Sequence, residues 1–222
     1  MFAVVYPDEK IHGAVLMEYL NGSILDKKSI SANLAHQCGA ILAKIHTQKT
    51  EGYGDLTDVN SIATDPRIVF SHKFEEGMSE CEGHLPKTLL DKIKRHFAEN
   101  LDLLLDVDGP CIVHHDFRPA NILVAGDAVL GVIDWSSAKA GFSEEDFCPF
   151  EFGEWPKEQK DTFFKGYETV REVPNYPRII PLLRLSRAVA AVGFTVKRDI
   201  FRGKGAGIYQ FSRSDLESLL PM

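Results

Sequence analysis

The hydrophobic pattern of this chain changes period in its middle, and that change constrains the fold more than any other feature. Three short β-type runs, 111–113, 121–125 and 129–133, are separated by polar or glycine-containing breaks. On both sides of these runs, apolar residues recur at helical spacing. The predicted helices cover 31–47, a short stretch within 65–80, and 86–105, followed after the β-type runs by 157–171, 177–198 and 213–220. The pattern predicts an α+β fold dominated by helix.

Composition narrows the class of protein. The chain has 222 residues, of which 44% are hydrophobic and 26% are charged, so disorder, collagen and coiled coil are excluded. The formal net charge of −7 disfavours a nucleic-acid groove, which needs basic surface to neutralise phosphates. The same charge is compatible with a cationic small-molecule partner.

The sequence indicates neither a membrane protein nor a secreted one. The apolar stretch 188–196 is much shorter than the roughly 20 residues that a membrane-spanning helix requires. The N-terminal residues lack the pattern of a signal peptide, and the 4 cysteines have neither zinc spacing nor the pattern of a disulfide framework. We therefore expect a cytoplasmic protein with reduced thiols.

Two β-compatible runs open the chain. They cover Phe2–Tyr6 and Ala14–Leu20, and Asn21-Gly22 breaks the chain after them. Ser31 is placed to cap the first helix, and His46 is predicted to be a packed histidine at its end. Residues 49–63 are polar and contain glycine, so we predict a loop there.

The polar residues between the β-type runs carry the chemistry. Asp116 and Asn121 bracket a loop that Pro119 keeps from being helical, and Asp134 follows the third β-type run. Two carboxylates and a carboxamide at adjacent loop and strand ends can converge on one point. Such oxygen ligands suit Mg²⁺, and the remaining carboxylate can accept a proton from an attacking hydroxyl. This division into a base and two metal ligands is that of kinase phosphoryl transfer.

The run H-x-D-x-x-x-x-N, followed by a strand ending in Ile-Asp-Trp, resembles the aminoglycoside phosphotransferase family of protein-kinase-like enzymes that phosphorylate small molecules. Three further segments agree in order and spacing. Residues 16–22 resemble the hinge that holds adenine, 42–46 resemble a helix end in Leu-His, and 140–146 resemble a Gly-x-x-x-x-Asp segment. The resemblance covers the chain from the hinge onward, and motifs in order are far more specific than one alone.

The resemblance implies a protein-kinase-like fold in which 1–22 form a remnant N-lobe hairpin and hinge, and 23–222 form the C-terminal phosphotransferase lobe. It implies transfer of the γ-phosphoryl of ATP or GTP to a small-molecule hydroxyl, for instance on an aminoglycoside-like cation. The implied roles are the base for Asp116, a phosphate contact for Arg118, Mg²⁺ ligands for Asn121 and Asp134, backbone contacts to the nucleotide for Met17, Glu18, Tyr19 and Leu20, and support of the site for His114 and Asp146.

The chain departs from the family pattern at three places. His115 stands where the family usually has glycine, and Arg118 stands where many members have histidine. No glycine-rich loop and no strand lysine can be placed before the hinge, and Lys10 lies in a turn. The alternative reading is therefore a catalytically weak or dead kinase-like binding module that binds ATP poorly. An unpaired edge on the strand 2–6 would then favour self-association.

Two other enzyme classes fit the same residues less well. A metal-dependent phosphohydrolase would use the dyad His115-Asp116, but such dyads lie on helices, and Pro119 follows here. A protein kinase would have Asp-Phe-Gly where this chain has Ile-Asp-Trp. The segment 142–156 contains Glu144, Glu145, Asp146, Glu151 and Glu154 without a basic residue. It is predicted to be a solvated helix and loop, or alternatively a cation-attracting rim of the acceptor site.

Overall fold

The computed structural model describes residues 3–5 and 14–220. Its helices are α1 (Ala32–His46), α2 (Pro66–Cys81), α3 (Lys87–Asn100), α4 (Cys148–Glu151), α5 (Lys160–Glu168), α6 (Ile180–Lys197) and α7 (Ala206–Leu219). Its strands are β1 (Ala3–Val5), β2 (Ala14–Leu16), β3 (Ser23–Ile24), β4 (Cys111–Val113), β5 (Ile122–Ala125), β6 (Ala128–Val132) and β7 (Lys139–Gly141). Long helices around short strands confirm the α+β prediction.

Three small antiparallel sheets bring the middle of the chain together. β1 pairs with β2, β3 pairs with β5, which also pairs with β6, and β4 pairs with β7. The loop 114–121 leaves the end of β4 and enters β5, while β6 ends just before Asp134. The two strand ends that carry the candidate chemistry therefore lie next to each other.

The first helix begins where its cap was predicted. The Ser31 hydroxyl accepts a hydrogen bond from the Leu34 backbone N–H and so satisfies a free donor of the first turn. Two glycines let α1 approach α5 closely. A side chain at Gly39 would collide with the Phe163 carbonyl, and one at Gly166 would collide with the His36 carbonyl. Only glycine therefore fits at these two crossing points.

Two hydrophobic cores hold the molecule together. One is formed largely by α2, α3, α6 and α7, and it contains stacked Phe74 and Phe97 rings whose centroids are 3.6 Å apart. The other joins α1 and α5 to the sheet of β5, and Phe117 from the loop 114–121 packs in it against Trp155. The loop is thus anchored in a core through its own aromatic residue.

The strands and helices differ from the predictions mainly at their ends. The second β-compatible run stops at Leu16, while residues 17–20 have no regular structure. The stretch within 65–80 forms a full helix, and α7 begins at Ala206 rather than at 213. The long helix predicted over 86–105 ends at Asn100 and continues as a 3-10 turn through Asp106. Phe2, Tyr6 and Lys10 lie outside the described residues.

Several short elements had no sequence signal. β3 has 2 residues, β7 has 3 and α4 has 4, and none is long enough to show a hydrophobic period. The stretch around them also contains a 3-10 segment, Ser143–Phe147. Within residues 3–5 and 14–220, no helix has the length and apolar character that a membrane crossing demands.

Candidate active site

A buried carboxylate fixes the backbone where the loop leaves β4. Asp146 Oδ2 accepts a hydrogen bond of 2.8 Å from the His114 N–H, and Oδ1 accepts one of 2.6 Å from the His115 N–H. His115 has a φ of 64°, in the left-handed region that costs an L-residue about 1–2 kcal/mol. The family's usual glycine at this position avoids that cost. The two bonds to Asp146 hold the strained turn in place here.

Asp146 is itself held from the two helices behind it. His46 at the end of α1 places Nε2 3.0 Å from Asp146 Oδ2 and Nδ1 2.8 Å from the hydroxyl of Tyr167 on α5. Burial acts to raise the pKa of Asp146, but the hydrogen bonds and the His46 ring outweigh it and hold the pKa below its usual value. His46 is packed, as predicted, and it also joins α1 and α5 to the loop.

His114 links the loop to the strand end that carries Asp134. Its Nε2 lies 3.0 Å from the Ile133 carbonyl and donates to it, which leaves Nδ1 to accept the Asp116 backbone N–H at 3.3 Å. The Ile133 N–H donates to the Asn121 carbonyl at 2.9 Å. Both backbone groups of Ile133 are thus bound by the loop, and Asp134, the next residue, is held beside it.

Asp116 is the carboxylate at the centre of the loop. Its Oδ2 accepts hydrogen bonds from Asn121 Nδ2 at 2.8 Å and from Arg118 Nε at 3.2 Å. The Asn121 Nδ2 also donates to the Asp116 carbonyl at 2.9 Å, so both amide hydrogens are used. The Asp116 side chain remains 25% exposed and can meet a solute. The Asn121 side chain has its Oδ1 oxygen left to bind a cation.

Asp134 presents a second carboxylate from a left-handed backbone with a φ of 60°. It is exposed, and the Ser136 hydroxyl donates to its Oδ1 at 2.7 Å. That hydrogen bond, with a smaller effect of the nearby Arg118 charge, lowers the pKa of Asp134. The carboxylate is therefore ionised at neutral pH.

These donors fit a hard divalent cation that takes only part of its coordination from protein. No group of three or more His, Cys, Asp or Glu side chains is arranged to hold a metal within the described part of the chain. Asn121 and Asp134 supply one amide oxygen and one carboxylate. Mg²⁺ commonly uses one or two carboxylates and completes its shell with phosphate and water, so this donor set suits it.

The predicted nucleotide hinge lies over β6. Gly131 on β6 has no room for a side chain because the Leu20 side chain lies there. Met17 is 63% exposed and Tyr19 is 85% exposed, and Glu18 is exposed as well. The end of the hinge segment therefore contacts the strand whose end leads to Asp134, and the side chains of 17–19 are exposed.

The prediction for the acidic segment is wrong at three of its five residues. Glu144 is 3% exposed, Glu145 is 5% exposed and Asp146 is 1% exposed. Glu144 accepts from the Asp108 N–H, and Glu145 pairs with Lys139 at 2.7 Å. The Glu144 partner lies 36 residues away in the sequence and the Glu145 partner lies 6 residues away on β7, so the run of acids by itself did not indicate burial. These buried carboxylates cannot form an exposed rim that attracts cations.

Arg118 and His115 flank the central carboxylate. Arg118 lies between Asp116 and Glu154, whose Oε2 is 3.8 Å from the Arg118 Nη1. Dense surrounding protein, with a further effect of the Lys139 charge, lowers the pKa of His115 to about 4, although the residue reaches solvent. The guanidinium of Arg118 is the basic group that contacts Asp116 directly.

Comparison with known proteins supports the kinase-like reading of this geometry. The solved structures that share the fold include APH(2")-IIa in complex with gentamicin, which has 19% identity, a TM-score of 0.67 and covers 96% of this chain and 72% of that one. The choline kinase LicA from Streptococcus pneumoniae has 19% identity, a TM-score of 0.68 and coverages of 97% and 74%. A thermostable mutant of APH(4)-Ia, in a ternary complex with AMP-PNP and hygromycin B, has 13% identity, a TM-score of 0.63 and coverages of 90% and 69%.

The sequence itself leads to the same group of proteins. No curated protein matches the chain in sequence. The family model of the phosphotransferase enzymes matches residues 3–182, which include the hinge, the loop 114–121 and both candidate metal ligands. A match over most of the chain, together with the shared fold, shows that this chain belongs to the phosphotransferase enzyme family.

Proposed function

We propose that this protein transfers the γ-phosphoryl group of ATP to a hydroxyl group of a small molecule, with Asp116 as the base. One observation carries the proposal. The hydrogen bond from Asn121 to Asp116 joins the base to one candidate metal ligand, and the bond from the Ile133 N–H to the Asn121 carbonyl ties in the residue before the other, Asp134. A catalytic group and its metal ligands must be held in register in this way for phosphoryl transfer.

The nucleotide is proposed to lie along the hinge. The backbone groups of Met17–Leu20 would hydrogen-bond the base, and the exposed Met17 and Tyr19 side chains offer apolar surface beside it. The structure of APH(4)-Ia contains AMP-PNP. This adenine nucleotide in a protein of the same fold favours ATP over GTP as the donor.

In the reaction the acceptor hydroxyl attacks the γ-phosphorus. The new bond joins the acceptor oxygen to phosphorus, the bond from phosphorus to the β,γ-bridging oxygen breaks, and ADP leaves. Asp116 Oδ1 or Oδ2 takes the hydroxyl proton, while Asn121 keeps the carboxylate oriented. Arg118 Nε and its neighbouring nitrogens lie beside Asp116 and can meet the oxygens of the transferred group. Mg²⁺ held by Asn121 Oδ1 and Asp134 would neutralise phosphate charge.

Two further features belong to this proposal. Residues 23–222 are proposed to form the phosphotransferase lobe, preceded by a hairpin and hinge over 1–22. A kinase-like binding module without activity is not favoured, because such a module has no need for Asp116, Asn121 and Asp134 together. Here the side chains of Asp116 and Asn121 are in contact, and the residue before Asp134 is bonded to Asn121.

Mg²⁺-dependent nucleotide binding tests the proposal without knowledge of the acceptor. Calorimetric titration with AMP-PNP is expected to show binding that Mg²⁺ strengthens, and Asp134→Ala is expected to remove that strengthening. Trp135→Phe is the matched control. It changes the neighbouring residue, whose indole donates to the Val132 carbonyl at 3.0 Å, and should affect stability more than Mg²⁺ dependence. Equal binding with and without Mg²⁺ in the unmodified chain would refute the metal assignment.

A further inference from the structure

One arginine near the loop 114–121 has no counter-charge among the residues that the structure describes. Arg187 on α6 is half-buried, and its guanidinium lies 5.1 Å from the centroid of the Phe152 ring. Within the described ranges it makes no ion pair or hydrogen bond, and none of its nitrogens is sealed from solvent. Arg184, one turn earlier on α6, is paired with Asp215. Because the guanidinium reaches solvent and is not taken up by a carboxylate in the described part of the chain, its N–H groups are available to an anion.

The residues around Arg187 place it at the border of the candidate active site. Phe152 belongs to the turn 152–155, which follows α4. In the same turn, Trp155 Nε1 donates to the Phe117 carbonyl at 3.1 Å, and Glu154 lies 3.8 Å from Arg118. One short turn therefore contacts the loop that carries Asp116 and also forms the platform under Arg187.

An aromatic surface adjoins the guanidinium. The Phe211 ring on α7 meets Phe152 edge to face, with centroids 6.2 Å apart, and is 56% exposed. Exposed aromatic rings next to a charged group are typical of sites that bind a small molecule with one apolar face. Phe152, Phe211 and Arg187 together offer such a surface.

The acids near this surface are already engaged. Glu144 accepts from the Asp108 backbone N–H, and Glu145 pairs with Lys139. Glu151 pairs with Lys160 at 3.2 Å, and Glu154 faces Arg118. Glu151 and Glu154 thus already face basic side chains, whereas the Arg187 guanidinium has no carboxylate partner among the described residues.

We propose that the acceptor carries a carboxylate or phosphate group that binds Arg187, and that the rest of the acceptor lies on Phe152 and Phe211. This inference rests on the proposed phosphotransferase function and names the class of its acceptor as a hydroxyl compound with an anionic group. The planar guanidinium can present two N–H groups to two oxygens of such an anion. The acceptor class therefore differs from the aminoglycoside-like cation that the sequence resemblance implies.

Binding of a small panel of hydroxyl compounds tests this inference. The panel contains L-homoserine and D-glycerate as carboxylates, glucose 6-phosphate as a phosphate, and choline and gentamicin as cations. Calorimetry with and without Mg²⁺ and AMP-PNP would compare the unmodified chain with Arg187→Gln, Arg187→Lys and the control Arg198→Gln. Arg198 is an exposed arginine at the end of the same helix. Urea unfolding of each variant checks that it is folded.

We expect an anionic compound to bind, and its dissociation constant to rise by roughly 10- to 100-fold in Arg187→Gln, the loss of one charge-assisted contact. Arg187→Lys should retain part of the affinity, and Arg198→Gln should bind normally. Comparison of the carboxylates with glucose 6-phosphate decides which anion fits. The inference is overturned if no anionic compound binds, if only cations bind, or if Arg187→Gln binds the anion normally. A failure of the proposed function appears separately, as nucleotide binding without Mg²⁺ dependence.

Discussion

Replacement of Asp146 by asparagine would remove the charge that holds the loop at residues 114 and 115. The carboxylate accepts three hydrogen bonds, from the His114 N–H, the His115 N–H and the His46 ring. Asparagine has the same shape but only one acceptor oxygen, and its amide group faces a donor. With that oxygen in the Oδ2 place, the bonds from His114 and His46 are kept without the charge, and the bond from the His115 N–H is lost. A bond to a buried charge contributes roughly 1.5–3 kcal/mol.

The expected cost of Asp146→Asn is therefore at least about 1.5–3 kcal/mol in the free energy of unfolding. Domains of this kind are commonly stable by about 5–15 kcal/mol, so the variant should fold but unfold at much lower urea concentration. The turnover number should fall as well, because the left-handed turn at His115 positions Asp116. Urea unfolding followed by tryptophan fluorescence measures the first effect. Asp91→Asn, an exposed site on α3, is the matched control.

The pH dependence of the unfolding free energy tests the same contribution of Asp146. Since the folded state lowers the pKa of Asp146, its contribution is present above the unfolded pKa of about 3.9 and is lost as pH falls through the folded pKa. The difference in unfolding free energy between the unmodified chain and Asp146→Asn should therefore become smaller at low pH. A difference below about 1 kcal/mol at neutral pH would refute the reasoning, since one lost bond alone contributes more.

Two other substitutions test the strained turn at His115 and the buried acid Glu144. His115→Gly should leave stability unchanged or raise it by up to about 1 kcal/mol, because glycine adopts the φ of 64° without strain, and a lowered melting temperature would contradict this. Burial raises the pKa of Glu144 to about 7, so the folded state keeps a proton that the unfolded state releases near pH 4.3. The free energy of unfolding should therefore fall between about pH 5 and pH 8. Glu144→Gln should flatten that slope in a urea series, and an unchanged slope would count against it.

Local signals account for what could be predicted from the sequence. The spacing of Asp116, Asn121 and Asp134 follows from the short strands on either side of the loop, and the helical periods of α1, α3 and α6 follow from their apolar faces. These features depend on neighbours within a few residues. They could be inferred because the chemistry of phosphoryl transfer requires those residue types at those places.

Tertiary contacts account for the rest. The burial of Glu144 depends on Asp108, which lies 36 residues away in the sequence, and the place of Phe152 under Arg187 depends on how α6 packs near α4. No local pattern reports such partners. The link from His46 to Asp146 spans 100 residues, and neither residue type nor spacing predicts that these two meet.

The turnover of Asp116→Asn tests the central claim most directly. Asparagine preserves the shape of the carboxylate that receives the Asn121 and Arg118 hydrogen bonds but cannot accept the hydroxyl proton. With an acceptor that supports turnover, kcat is expected to fall by roughly 10²–10⁴, while the affinity for AMP-PNP with Mg²⁺ hardly changes. The exposed Asp91→Asn should leave both values unchanged. Full turnover by Asp116→Asn would contradict the assignment of Asp116 as the base.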